Sequence, residues 1–187
     1  MTDSRVTRRG FLAALAAGTA IAFLEAHASE IRAATLLAGS ADGDWLVLTP
    51  EQAAVLDAVS AQIVPTDDLP GAREAKVVRF IDRSLATWMK DDGDDLMKGL
   101  DALNAAAKRS SPAAASFAAL SEADQLTVLT AFEKSDPDAF GALRGVTMLG
   151  IFTNPSYGGN FEKSGWKMIG FIDQFAWTPP FGYYDRV

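Results

Sequence analysis

From residue 49 onward the apolar side chains recur every three or four positions, the spacing that lines one face of an α-helix. Thr49-Pro50-Glu51 opens the first such stretch, with Thr49 placed to cap it and Pro50 at the first helical position, where a missing N–H does no harm. Val55, Leu56, Val59 and Ile63 form its stripe, and Val64-Pro65 ends it. Thr66-Asp67-Asp68-Leu69-Pro70-Gly71 reads as a turn-rich loop. The spacing then predicts a helix over about 72–90, with Val77, Phe80, Ile81, Leu85 and Trp88 facing inward. Beyond Asp91-Asp92-Gly93-Asp94-Asp95 a third helix carries Leu96, Leu100 and Leu103, and Ser110-Ser111-Pro112 breaks it. Ser121-Glu122-Ala123-Asp124 is a capping box for a fourth, bearing Leu126, Leu129 and Phe132. Asp136-Pro137 begins a fifth, through Phe140, Leu143, Met148 and Ile151. No segment alternates as a strand does. The expectation is one all-α domain of about five or six helices over 49–187, with an irregular, aromatic-rich C-terminal extension.

Upstream the pattern changes. Residues 29–48 mix Gly, Ser and Asp with apolar residues and read as a linker or arm. Residues 1–28 have the plan of an export leader: Arg8 and Arg9, then x-Phe11-Leu12, then a mildly apolar run to Leu24 and a small-x-small cleavage site at Ala26-His27-Ala28. That run is too short for a transmembrane helix, which needs about 20 apolar residues. The paired arginines and low hydrophobicity match a twin-arginine (Tat) signal, whose translocon carries folded proteins. The expected location is the periplasm, or the periplasmic face of the inner membrane.

Composition narrows the chemistry. The 187 residues carry 17 Lys and Arg against 24 Asp and Glu, a net of −7, which argues against a nucleic-acid partner. Removing Arg5, Arg8, Arg9, Asp3 and Glu25 with the leader leaves 14 against 22, a net of −8. There is no cysteine, and the one histidine, His27, lies in the leader. A mature chain with neither residue has no Ser-His-Asp triad, histidine metal site, haem ligand or Fe–S cluster. No catalytic, cofactor or metal-ligating residue is assigned, and such a chain reads as the partner of an enzyme.

The aromatics are unevenly placed. Residues 151–187 hold ten of the 18, namely Phe152, Tyr157, Phe161, Trp166, Phe171, Phe175, Trp177, Phe181, Tyr183 and Tyr184. Tyr157-Gly158-Gly159-Asn160 predicts a tight, shaped loop, because glycine and asparagine tolerate backbone conformations closed to other residues. Pro179-Pro180-Phe181-Gly182-Tyr183-Tyr184 cannot be helical. Aromatic side chains held on irregular backbone are typical interface anchors, so 154–187 reads as a docking segment. Its candidate contacts are Tyr157, Gly158, Gly159, Asn160, Trp166, Lys167, Phe171, Trp177, Phe181, Tyr183 and Tyr184. Asn160 and Trp166 serve either as partner-facing or as loop-stabilising groups, and Lys167 could anchor a partner carboxylate.

Other groupings read more plainly. Asp91, Asp92, Asp94 and Asp95 lack the remaining ligands of a Ca²⁺ loop and read as a solvated turn. Asp67 and Asp68 could be an acid–base pair, but their Pro-flanked turn favours capping. Lys163 and Lys167 read as solvated lysines.

Asn154-Pro155-Ser156-Tyr157-Gly158-Gly159-Asn160 followed by Gly165-Trp166-Lys167-Met168-Ile169-Gly170-Phe171 resembles the signature of the gluconate 2-dehydrogenase subunit 3 family. Ile63-Val64-Pro65-Thr66-Asp67-Asp68-Leu69-Pro70-Gly71-Ala72 resembles the stretch that follows the family's first helix. The likeness spans about 49–175; it departs at Ile172-Asp173, where members often continue Pro-Gly. It implies a small subunit that assists the folding and export of a catalytic partner. That partner carries FAD in a glucose-methanol-choline (GMC) oxidoreductase fold, and a cytochrome c commonly takes the electrons onto its haem. Substrates across such complexes include gluconate, other sugars and glycosides. Two readings from other classes stand beside it: a stand-alone periplasmic sugar-binding module, since aromatics also stack on sugars, and a carboxylate-dependent hydrolase.

Overall fold

The computed structural model describes residues 45–174, and among these every regular element is helical. Helix α1 is Pro50–Ile63, α2 Val77–Leu85, α3 Gly93–Ser110, α4 Glu122–Ser135, α5 Pro137–Phe152 and α6 Ser164–Met168. Three single 3₁₀ turns, at Phe117–Ala119, Pro155–Tyr157 and Phe161–Lys163, join them. The expectation of an all-α domain of about five or six helices holds over the described residues. Residues 1–28 with Arg8, Arg9, Phe11, Leu12, Ala26 and Ala28, and the distal aromatics Trp177, Phe181, Tyr183 and Tyr184, lie outside the described residues.

The helices start where the side chains can absorb their free N–H groups. Thr49 Oγ1 accepts from Gln52 N at 3.2 Å, while Gln52 Oε1 accepts from Thr49 N at 2.9 Å, a reciprocal capping box. Ser121 Oγ accepts from Asp124 N and donates to the Asp124 carboxylate, half of the expected box, and Asp136 Oδ1 accepts from Ala139 N ahead of Pro137. Helix α5 is the hub: α1, α2, α3, α4 and α6 all pack on it. Leu56, Val59, Ile81, Leu100, Leu103, Leu143 and Ile151 are the buried centre, each worth about 1.5–3 kcal/mol of transfer free energy. One polar contact interrupts it, Ser60 Oγ to Thr147 Oγ1 at 3.2 Å between α1 and α5.

Two expectations change. The helix read over 72–90 is only Val77–Leu85. Lys76, with φ at +54°, blocks its upstream continuation, and Ala72 to Lys76 form a turn closed by Val77 N on Ala72 O. Downstream, Met89 N bonds Ser84 O at 2.9 Å and Met89 fills the inward position, so Trp88 points outward, 61% exposed. On α4, Leu126 is exposed and Gln125 is buried instead, donating to Leu120 O.

Asp82 sits on α2 with almost no exposed surface, and its carboxylate accepts three backbone N–H groups, from Leu46 (2.8 Å), Val47 (3.0 Å) and Leu48 (3.0 Å). Arg79, one turn earlier, lies 4.0 Å over the Trp45 ring. The last residues of the segment read as an arm are thereby fastened to α2.

Candidate functional site: a loop clasped to the end of α5

The chain after α5 turns back and closes over that helix's C-terminal carbonyls, which a helix end leaves without internal partners. Asn160 N donates to Gly150 O (2.9 Å), Trp166 Nε1 to Phe152 O (2.8 Å) and Asn160 Nδ2 to Thr153 O (2.8 Å). Asn160 Oδ1 accepts from Gly165 N at 2.9 Å and, more weakly, from Trp166 N at 3.4 Å. The Asn160 side chain is fully buried. Its carboxamide therefore ties the two halves of the signature stretch to each other and both to α5. These bonds make Asn160 a stabilising group of the loop.

Glycine is required at two points by close approach. A Cβ on Gly159 would overlap Gly150 O, and one on Gly165 would overlap Ile151 O. Three side-chain-bearing residues follow the clasp in left-handed backbone, Asn160 (φ +46°), Glu162 (+54°) and Lys163 (+59°), conformations costing on the order of 1 kcal/mol each. Such strain persists only where surrounding contacts over-determine it. Lys163, expected to be merely solvated, pairs with Asp173 at 2.7 Å. That ion pair gives a local reason for Ile172-Asp173: the carboxylate fastens the chain after α6 back to the turn that precedes that helix.

The turn that follows the second motif meets the loop. Val64 to Ala72 form a closed loop, Ala72 N to Val64 O at 2.9 Å. Glu74 Oε2 accepts from Thr66 Oγ1 (2.7 Å) and Gly71 N (2.9 Å), and these bonds hold the Glu74 carboxyl below its ordinary range, the Thr66 bond foremost. Asp67 Oδ1 caps Leu69 N, the turn role expected of it. From the turn after this loop, Ala75 O accepts Phe161 N at 3.2 Å, and Lys76 Nζ stands 3.9 Å over the Phe161 ring.

The outcome is a fixed platform with apolar side chains standing out from it. Tyr157, Phe161, Ile169, Phe171 and Ile172 are all exposed, Ile169 by 60%. Phe171 is held edge-on against Trp166, ring centroids 5.1 Å apart. Trp166 itself is half-buried and Lys167 exposed; Gly158 and Gly159 are backbone, set against Arg83 and Phe80. Sequence reasoning missed Ile169 and Ile172 as surface groups and Ala75-Lys76 as the support beneath Phe161.

Two shallow clefts, about 210 and 370 Å³, lie elsewhere, between α1 and α4 around Gln62 and Leu126. Among the described residues no three His, Cys, Asp or Glu side chains come together as metal ligands would. Asp94 and Asp95 lie in the first turn of α3, favourable for the helix dipole, and Asp95 pairs with Lys98 at 2.7 Å. No helix among the described residues is long and apolar enough to cross a membrane.

Fold and site together define a small all-α display module: a helical core whose last helix is capped by a loop that presents apolar groups. The chain belongs to the gluconate 2-dehydrogenase subunit 3 family, whose profile matches residues 50–173. That membership suggests an accessory subunit of a dehydrogenase complex. No curated protein and no solved structure matches the chain.

Proposed function

We propose that this chain is the non-catalytic small subunit of an exported, FAD-dependent, GMC-type dehydrogenase acting on gluconate, another sugar or a glycoside. It stabilises the catalytic subunit by docking through the surface at 154–174 and the residues that follow it. The leader at 1–28 carries the pair through the Tat translocon to the periplasm. FAD resides in the catalytic partner, and a cytochrome c haem accepts its electrons. The observation that carries this reading is the clasp: the Asn160 loop is spent on building a platform fastened to α5 and to the turn at Ala75-Lys76, and the groups it exposes include Tyr157, Phe161, Ile169, Phe171 and Ile172. A surface of that kind is suited to another protein, since exposed, preorganised aromatics lose little freedom on binding.

The test is recovery of the complex. Tagged chain isolated from its native cells is expected to bring a stoichiometric large chain with a flavin absorption spectrum. Tyr157→Ala with Phe171→Ala, both exposed, should lower flavin recovery at least about tenfold while leaving the subunit's thermal melt unchanged. Full flavin recovery by that double variant would remove the C-terminal face from the interface. A colourless, solitary wild-type chain would remove the complex.

A further inference from the structure

The segment 157–161 runs antiparallel to α2. Phe161 meets Ala75 and Lys76; a Cβ on Gly159 would lie 3.0 Å from Phe80 Cβ; one on Gly158 would lie 2.8 Å from Arg83 Cδ. Each step back along the loop is thus a step forward along the helix, and continuing that register carries Tyr157 toward the turn after α2. Trp88 is on that turn. Its ring lies 6.5 Å from that of Phe80, and at 61% it is the most exposed large apolar side chain among the described residues.

We infer that Trp88 is a second anchor of the docking face, seated in an apolar surface of the same catalytic partner. The inference rests on the accessory-subunit reading and extends its interface from the C-terminal loop across the end of α2. The ring is held out by a built turn: Thr87 Oγ1 donates to Arg83 O at 2.8 Å, Met89 N donates to Ser84 O, and Met89 occupies the core beneath. A side chain fixed in an outward position has little rotamer freedom left to lose on binding. Tryptophan is also the residue type in which interface energy most often concentrates. Trp88, Tyr157, Phe161 and Phe171 together expose on the order of 500 Å², comparable with the largest apolar patch of a typical monomer, which is often functional, and most of the roughly 800 Å² per partner of a standard interface. The occupant is therefore a broad apolar protein surface, contiguous with the one that covers Phe161 and Phe171.

The chain has no cysteine, so W88C, F171C and L126C each carry a unique thiol. The experiment compares maleimide alkylation of these variants in the purified flavin-containing complex and in the free subunit. Alkylation of W88C and F171C is expected to slow roughly tenfold or more in the complex, while L126C, in the cleft on α4, stays unchanged. Protection of F171C but not W88C overturns this inference and leaves the docking reading standing; protection of neither overturns both. Protection of W88C in the free subunit that rises with concentration assigns the face to a second copy of the chain. Protection there at every concentration assigns it to the chain's own remaining residues. Because Trp88 is exposed, W88C is expected to melt as wild type, and a lowered melt makes Trp88 a structural residue and sinks the anchor.

Discussion

Asn160 is the residue on which the signature loop turns, because its backbone is left-handed and both ends of its side chain are in use. Replacing it with alanine leaves Thr153 O and Gly165 N without their buried partner and keeps an unfavourable φ. The expected loss is about 2–4 kcal/mol, read as a lower urea midpoint. Asn160→Asp, equal in shape, still loses the donor to Thr153 O and buries a charge, so it should be no better than alanine. Asp82 plays the corresponding part for the segment 46–48. Asp82→Asn sets an amide among three N–H donors, and hydrogen exchange at Leu46, Val47 and Leu48 should speed up sharply, with stability down by on the order of 3 kcal/mol. Unchanged exchange would show that the arm is held by Trp45 alone. Glu74 makes a pH prediction. Its folded-state carboxyl is held low, so its contribution is present above the ordinary glutamate range and is lost as pH falls through that range and below. Glu74→Gln should flatten the acid limb of the stability curve below about pH 4.5 and leave the neutral limb's shape unaltered.

At the scale of elements, glycines divide by what surrounds them. Gly165→Ala drives a methyl into Ile151 O and should lift α6 off α5, whereas Gly141→Ala, on an open face of α5 with nothing within 4 Å, should stabilise by about 0.5–1 kcal/mol. Thermal melts of the two variants are expected to move in opposite directions. The helix starts were legible in sequence because their signals are local: Thr49, Ser121 and Asp136 cap residues three positions away. The stripe Val77, Phe80, Ile81, Leu85 was legible for the same reason. Trp88 was not, since the end of α2 carries neither proline nor glycine; the chain leaves the helix where Met89 enters the core and its N–H bonds Ser84 O. Leu126 was misassigned because a glutamine can take a buried position once its amide finds Leu120 O, which lies before the helix. Asp82 carries no local signal of its role, because the N–H groups it accepts come from 46–48, more than thirty residues upstream.

Across the whole molecule, the loop at 154–171 and the turn that follows the 63–72 stretch lie far apart in sequence, with no local signal that they meet. Their junction at Ala75 O and Phe161 N is set by α2 and α5 packing side by side, a property of the assembled core. The exposed apolar platform consequently has no existence in the loop segment alone. Its floor is α5, its side wall is α2, and its lock is a single carboxamide, so it comes into being only when all three are in place. A catalytic partner that binds this surface would respond to it as to a completed signature on a document: a chain that has stalled at any earlier stage has nothing to show, and pairing itself becomes the inspection that separates finished subunits from unfinished ones.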